Sequence, residues 1–253
     1  MATYKTEGII LKQFDIGEAD KIITIYTEDR GKVRAVARGA RKAKSNIAGS
    51  VQPFSYSRFI IYKGKSLDSI NHIKVIYPFS VLREDLDKMA YASYMAEFVK
   101  KAGMEDASNK SLFSLLLLSY RKLVTAKNNN LKYINLVFKV KALVILGFKP
   151  ELDHCLQCGK KVIIGNQNYF SIAEGGLYCS NCNSECNDLY ILSGEALQVF
   201  KKIINTGLKL QPNLKISATA YRQLAKLINK FLLYHLDLKL KSEKFLHIIT
   251  DLG

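Results

Sequence analysis

The chain has 253 residues, 48% of them apolar, with 38 lysines and arginines against 22 aspartates and glutamates and a formal net charge of +16. This length and apolar share exclude a disordered tail and allow two or three domains, each with its own core. The charge excess points to an anionic partner: a nucleic acid, an acidic protein tail or an anionic membrane.

The excess leans toward the front. Residues 1–80 hold 14 basic and 7 acidic side chains, 81–150 hold 12 and 6, and 151–253 hold 12 and 9. The opening Met1–Lys5 lacks the charged-then-apolar pattern of a secretory signal. The greasiest run, Leu112 to Tyr120, falls far short of the ~20 residues a bilayer span needs. Together these lead to the expectation of a cytoplasmic protein with no membrane partner. Four of the five cysteines form two Cys-x-x-Cys pairs, which suits a reducing compartment and a bound metal better than a disulfide framework.

Residues 4–77 read as five strands, Tyr4–Phe14, Lys21–Thr27, Gly31–Arg38, Gln52–Tyr62 and Ser69–Tyr77, separated by turn signals. Five short strands without an intervening helix suit a small closed barrel of the oligonucleotide-binding type. Across its middle, Arg30 to Lys65 carries ten lysines or arginines and no acid. Val33, Ala35 and Ala37 alternate with Arg34, Val36 and Arg38 as in a half-buried strand. Gly39 ends the ladder, and Arg41, Lys42 and Lys44 follow in a segment with nothing large and apolar to bury. Crowding like charges costs free energy unless a polyanion offsets it, although a solvated loop kept soluble by charge is the plainer alternative. Phe54, Tyr56 and Arg58 share one strand face, with Phe59 and Ile61 on the other. Aromatics beside a basic loop either stack bases or fill the barrel core.

Pro78 closes the strands. A helix is expected over Phe79–Lys101, with Leu82, Leu86, Met89, Ala90, Tyr94 and Phe98 as its apolar stripe and Glu84, Asp85 and Asp87 at the positive end of its dipole. A second helix spans Asn109–Thr125, and Leu115 to Leu118 mark it as central. A third, Leu131–Leu146, stops at Gly147 with Pro150 beyond.

Cys155, Cys158, Cys179 and Cys182 stand in a Cys-x-x-Cys, twenty, Cys-x-x-Cys spacing. Four thiolates fill a tetrahedral zinc site and leave no open position, so the ion is structural. Gly159 allows the backbone to turn its N–H groups toward sulfur. Cys186 is spare, and His154 lies too close to Cys155 to bind alongside it. Val162–Ile164 and Asn168–Ile172 look like strands, with Gly175-Gly176 turning the chain back. Ser193 caps a helix ending at Gly207. Ser217–Leu236 is amphipathic, with Leu224, Leu227, Phe231 and Tyr234 inward. Its Arg222, Lys226 and Lys230 face outward, as a solvated surface or a second contact for phosphate or an acidic peptide. Lys239, Lys241 and Lys244 extend that surface.

Several enzymatic readings fail on the residues. Gly64-Lys65-Ser66 resembles the end of a phosphate-binding loop, but Phe59 stands where its first glycine belongs. A zinc deaminase needs a proline before its second cysteine pair, and Tyr178 is there. The carboxylates do not cluster as a two-metal nuclease requires. His72, His154, His235 and His247 have no partner at catalytic spacing. No enzymatic activity is expected.

Glu7-Gly8-Ile9-Ile10-Leu11-Lys12, Gly17-Glu18-Ala19-Asp20-Lys21-Ile22, Arg38-Gly39-Ala40-Arg41-Lys42 and Gln52-Pro53-Phe54 resemble the bacterial recombination mediator family RecO. So do Leu146-Gly147-Phe148, the cysteine quartet with Gly175-Gly176, Tyr234-His235-Leu236 and Leu240-Lys241-Ser242 with Phe245-Leu246. The resemblance runs in order over nearly the whole chain. It implies an α+β protein: an oligonucleotide-binding barrel over 1–79, a helical domain over 80–149 and 191–253, and a four-cysteine zinc module inserted at 150–190. It also implies a role in recombinational repair by the RecF pathway, in the cytoplasm and associated with the nucleoid. Such a protein binds single- and double-stranded DNA, anneals complementary strands, captures the acidic C-terminal tail of the single-stranded-DNA-binding protein, and helps RecR load RecA. Some members lack the cysteines, which favours scaffold over chemistry for the metal. Arg34, Arg38, Arg41, Lys42 and Lys44 are the expected DNA contacts. An adaptor for acidic protein tails with incidental DNA contact, and an RNA-binding barrel, are the competing readings.

Overall fold

Alternating apolar residues build five strands, β1 (Thr3–Ile16), β2 (Asp20–Thr27), β3 (Gly31–Ala37), β4 (Tyr56–Tyr62) and β5 (Asp68–Tyr77), which close into a barrel in the order β1-β2-β3-β5-β4. The computed structural model describes residues 2–186, 188–207 and 215–252. Every pairing in the barrel is antiparallel except β3 with β5, where Ala35 faces Asp68 and Val36 faces Ser69. β1 is long enough to serve two neighbours. Thr3–Ile9 pairs with β4, Gly8–Ile16 pairs with β2, and a register shift falls between Ile10 and Lys12.

The inward faces supply Ile10, Ile23, Ile25, Val33, Ala35, Phe59, Ile61 and Ile73, all buried. Each large side chain among them contributes about 1.5–3 kcal/mol by leaving water. The basic segment after β3 also reaches the core. Ala40 and Val51 are buried and Ile47 packs on the cluster, which corrects the expectation of a loop with nothing apolar to bury. The fourth strand starts at Tyr56 rather than Gln52. Residues 52–55 form a turn in which Phe54 has φ 72° and donates its N–H to Ile10 O at 2.7 Å.

Among the described residues the remaining elements follow in chain order. They are α1 (Val81–Glu84), α2 (Leu86–Ala102), α3 (Lys110–Thr125), α4 (Asn128–Ile145), β6 (Glu151–Cys155), β7 (Asn168–Ser171), β8 (Gly176–Tyr178), β9 (Leu189–Leu192), α5 (Gly194–Asn205), α6 (Ala218–Leu236) and α7 (Lys241–Leu252). They belong to two units, Met1–Leu131 with Leu240–Gly253, and Lys132–Lys239.

In the first unit the expected helix over Phe79–Lys101 is broken. Asp85 is extended, and its side chain caps α2 by accepting from Lys88 N at 3.1 Å. The break turns Leu86 outward, 54% exposed, so it leaves the stripe it was assigned to. α3 is buried along Leu112, Leu115, Leu116, Tyr120 and Leu123, while Leu117 and Leu118 of the run read as central are half-buried. The end of α2 meets the barrel closely. A Cβ on Gly103 would lie 2.6 Å from the Tyr26 ring, and one on Gly31 (φ 65°) would lie 2.2 Å from Ala107 O. Lys32 Nζ donates to Lys100 O and Gly103 O at 3.3 and 3.2 Å, a cation on helix-end carbonyls.

α7 is an element the sequence reading missed. Glu97 of α2 accepts from Lys241 N at 3.1 Å, Ser242 N at 2.7 Å and Ser242 Oγ at 2.6 Å, so a carboxylate 144 residues away caps this helix.

In the second unit a sheet ordered β6-β8-β7-β9 packs Phe170 near Phe200 and Phe231. β6 and β9 had not been expected, and Val162–Ile164, read as a strand, is irregular. Ser193 caps α5 as predicted, accepting from Ala196 N, and Ser217 caps α6 in the same way, accepting from Ala220 N. Tyr234, assigned inward, is 63% exposed, while Leu224, Leu227 and Phe231 are buried. α4 buries two lysines. Lys139 donates to Asn229 Oδ1 at 2.8 Å, and Lys141 donates to Ile203 O at the end of α5.

Burial alone would raise the pKa of Glu97, but hydrogen bonds from Ser242 and Lys241 overcome it and hold the carboxyl below its usual value. A depressed carboxylate stabilises above its unfolded pKa, and the effect is lost as pH falls through the folded value. Glu97→Gln therefore costs about 1–2 kcal/mol at neutral pH and speeds amide exchange in α7. The difference from the parent disappears under strongly acid conditions, and equal exchange in α7 at neutral pH would contradict the cap.

Candidate nucleic-acid interface and candidate metal centre

The ten cations of the basic stretch are not equivalent once folded. Arg58 donates twice to Glu7 Oε1, from Nε at 3.0 Å and Nη2 at 2.6 Å. Lys32 is tied to the α2 carbonyls and lies 3.9 Å from Glu105. Arg30 lies with its guanidinium 4.2 Å from the Tyr4 ring centroid and 4.0 Å from Asp29. Arg41 acts as a brace. It donates to Gly17 O at 2.5 Å and sits 3.3 Å from Asp15, which also takes Lys21 at 2.8 Å. The Lys21 hydrogen bond first, then the charges of Arg41 and Lys21, hold the Asp15 carboxyl below its ordinary range. Gly39 N to Asp20 Oδ1 and Arg41 N to Ala19 O pin the basic loop against the β1–β2 turn.

Arg34 and Arg38 point outward from β3 and its end, and Lys42 and Lys44 are exposed on the loop. Among the described residues none of these four has an ion-pair partner. Of the five predicted DNA contacts, four are thus uncompensated and Arg41 is engaged.

The structure adds two cations that the sequence reading left in a turn. Closure of β3 against β5 carries Lys63 and Lys65 to a cleft of about 240 Å³ that also takes in Arg30, Lys32 and Arg34. Three carboxylates line it as well, and of these Asp68 is occupied by Tyr4 Oη at 2.5 Å and Gly64 N at 3.0 Å. In the sequence Lys63 and Lys65 stand in the acid-free run and in a turn, with no sign of their neighbours in space. The topology is what sets them beside Arg34.

The aromatics singled out for stacking are used internally. Phe54 is buried, its ring 5.6 Å from Tyr120 in an edge contact. Tyr56 donates to Glu7 and sits 6.0 Å from Phe113. They are packing residues between the barrel and α3.

On the second unit, Arg222, Lys226 and Lys230 are exposed along one side of α6, and Lys230 Nζ lies 5.7 Å from the Tyr190 ring.

The four paired cysteines converge. Their sulfurs all lie within 4.8 Å of one another, with Cys158 Sγ and Cys179 Sγ at 3.8 Å. Gly159 (φ 68°) donates to Cys155 O at 2.9 Å, closing the first turn, and Cys182 N donates to Cys179 O at 3.1 Å in the second. Cys179 N reaches Cys155 Sγ at 3.3 Å. Burial would raise the Cys155 thiol, but backbone N–H groups of Cys158, Cys179 and Gln157 prevail and bring it down to about 6. The hydrogen bond with Cys179, then burial and the other sulfurs, push Cys182 up to about 12. A dication held by these four groups would override both shifts and keep all of them ionised. The set fits a thiophilic ion with no coordination position left for water. Cys186 lies outside the group, and His154 turns to Glu151 at 3.6 Å. The side chain of His247 lies outside the described residues.

The chain matches the family model described as Recombination protein O N terminal over residues 1–79 and that described as Recombination protein O C terminal over residues 83–244. It belongs to the RecO family. Among curated RecO relatives, "DNA repair protein RecO" of Thermoanaerobacter sp. (strain X514) is 32% identical over 252 residues, covering 100% of both chains. The namesake of Desulforamulus reducens is 34% identical, covering 97% of this chain and 94% of its own. That of Bacillus pumilus is 34% identical, covering 96% and 93%. The barrel and helical regions of this RecO family member correspond to the two matched models, and among the described residues no helix is long and apolar enough to cross a membrane.

The cysteine geometry carries a direct test. Co²⁺ titration of the metal-stripped chain gives a one-to-one complex with intense thiolate charge-transfer absorption, and Cys158→Ser weakens it by about tenfold or more. A chain that binds no Co²⁺ would rule out the centre.

Proposed function

We propose that this chain is a non-enzymatic DNA-binding protein of recombinational repair. It binds single- and double-stranded DNA, anneals complementary strands and, with RecR, promotes RecA loading on strands coated by single-stranded-DNA-binding protein. The observation that carries this is a set of cations that form no ion pair among the described residues, Arg34, Arg38, Lys42, Lys44, Lys63 and Lys65, displayed on a closed five-stranded barrel. Phosphate contacts of this kind position a strand without reading its sequence. Neutralising two strands at once lowers the repulsion between complements, so annealing needs no nucleotide hydrolysis and no catalytic group. The names of the relatives, all "DNA repair protein RecO", support the same pathway. Action in the cytoplasm, at the nucleoid, belongs to this reading.

The metal in this reading is one structural Zn²⁺ on Cys155, Cys158, Cys179 and Cys182. The sulfurs would hold it, and its contribution is to tie the two Cys-x-x-Cys turns together.

A second reading is favoured by the exposed cations of α6. Arg222, Lys226 and Lys230 form a surface suited to an acidic peptide, and the C-terminal tail of the single-stranded-DNA-binding protein is such a peptide. Binding of that tail would then survive substitutions on the barrel.

If the six barrel cations engage a single strand, log affinity falls with log salt at a slope near −4. Replacing Arg34, Arg38, Lys42 and Lys44 by Ala flattens the slope to about −1.5 with unchanged circular dichroism. A slope that stays the same removes the barrel from the interface. Chelating the metal loosens residues 150–190 in hydrogen exchange and leaves the salt slope as it was. An apo chain that remains fully protected yet fails to anneal would contradict a structural metal.

A further inference from the structure

The outer face of β1 changes character at its register shift. Before it, Ile9 and the Tyr26 ring opposite are buried on the side of the barrel that meets α2. Beyond it the β1–β2 hairpin runs on to its turn, and the same face shows Lys12, Phe14 and Ile16 at alternate positions. Phe14 and Ile16 are each 44% exposed, an aromatic ring and a branched aliphatic side by side on open strand. Across the sheet Phe14 pairs with Ile22, and Ile22 with Val36, so the row is apolar over three strands. The neighbouring row runs Lys12, Thr24, Arg34, and the row beyond runs Ile16, Asp20 toward Arg38. Cations therefore line one side of the apolar strip, and on the other Arg38 lies past Asp20, whose carboxylate is taken by Gly39 N.

The ring itself is bordered by charge. Lys12 Nζ lies 4.2 Å from the Phe14 centroid and Lys100 Nζ of α2 lies 5.9 Å from it. Burial first, then the charge of Lys12, with Lys32 and Arg34 weaker, pushes Lys100 below the ordinary lysine range although Glu97 opposes the shift. An apolar protein partner would bury these ammonium groups unpaired, and a membrane surface would find one narrow apolar row with no second beside it. A strand of unpaired nucleotides meets both features: its bases take the ring and its phosphates take the cations.

We infer that Phe14 is a stacking platform for an unpaired base of single-stranded DNA, with Ile16, Ile22 and Val36 as its apolar continuation and Lys12, Lys100 and Arg34 holding the flanking phosphates. This rests on the DNA-binding reading and deepens it. In the bound state Lys12 leaves the ring for a phosphate, and the base replaces it; base stacking on an aromatic side chain outweighs an exposed cation–π contact. The platform makes affinity depend on unpaired bases, whereas the barrel cations alone do not distinguish one strand from two.

The sequence contains no tryptophan, which makes Phe14→Trp a single reporter. Three strands of equal length serve as probes: oligothymidylate, the same sugar-phosphate chain without bases, and a duplex. Phe14→Ala lowers affinity for oligothymidylate about 5- to 100-fold, leaves the abasic strand and the duplex unchanged, and keeps the salt slope. Phe14→Trp retains binding, and its emission is quenched by oligothymidylate but not by the abasic strand. Equal affinity of parent and Phe14→Ala for oligothymidylate, equal losses for base-bearing and abasic strands, or binding without quenching each overturn the platform while the DNA-binding reading stands. Failure of the parent chain to bind any of the three probes removes both.

Discussion

One short stretch of parallel pairing, Ala35 with Asp68 and Val36 with Ser69, governs the rest of the molecule's first unit. It closes the sheet β3-β2-β1-β4-β5 into a barrel and so removes the free edges that an open sheet would present. It also determines where charge ends up. Without closure, Lys63 and Lys65 would sit in a distant hairpin turn, and with it they share a cleft with Arg30 and Arg34. Closure therefore concentrates like charge, and the cost is offset only in part. Glu7 takes Arg58, Asp15 takes Lys21 and Arg41, and the carbonyl end of α2 takes Lys32. What the carboxylates do not reach is left facing solvent, on β3, on the loop after it and on the β4–β5 turn. Exposed pairs of this kind stabilise by no more than ~1 kcal/mol each. Their consequence is to select which cations remain free for another partner.

The same selection explains how a cation-rich barrel side can carry an apolar strip. The shift between Ile10 and Lys12 moves alternate side chains of β1 to the opposite face, as a single-residue slip must. Ile10 lies in the core, while Lys12, Phe14 and Ile16 face out. Had the strand kept strict alternation, Phe14 would have filled the barrel and Gln13 the surface. An exposed cation–π contact is worth about 0.5–1 kcal/mol and stacking on a base about 1–3 kcal/mol. The ring can therefore be held by lysine in the free protein and yielded to a base.

This bulge also marks where the sequence stops being legible. Strand existence could be read from period-2 alternation, because Val33, Ala35 and Ala37 have no other way to bury three apolar faces at once. The side on which Phe14 lies could not, since it depends on a register defect with no signal of its own. Phe54 and Tyr56 misled for a related reason. The turn that puts Phe54 at positive φ follows from hydrogen bonds with Ile10 across the barrel, not from local propensity. α7 was missed because its cap comes from Glu97, far away in the chain. The helix starting at Phe79 was read as continuous because Asp85 looks like a first-turn acid, when it is the N-cap of a second helix. The candidate metal ligands were the most legible residues of all. Their chemistry dictates spacing directly, and four sulfurs within 4.8 Å follow from two turns of two residues each.

That directness has a physical origin in how little else the cysteine region offers. β8 has three residues, β7 and β9 four each, and the sheet draws its apolar burial from Phe170, Leu177 and Leu192. A segment this short cannot offset its own ordering entropy by area alone, and small modules of this kind need a staple. Cys155 and Cys179 come from the ends of β6 and β8, which pair in parallel only at Glu151 with Gly176 and Cys155 with Leu177. A bound ion thus joins the strands where hydrogen bonding between them is thinnest. Four thiolates around a dication also carry a formal charge of −2 within an otherwise basic chain, so the region that gains most from the metal is the one least suited to hold phosphate. On the proposed reading this separates the two tasks: the barrel meets the polyanion, and the cysteine module keeps its own part of the second unit folded.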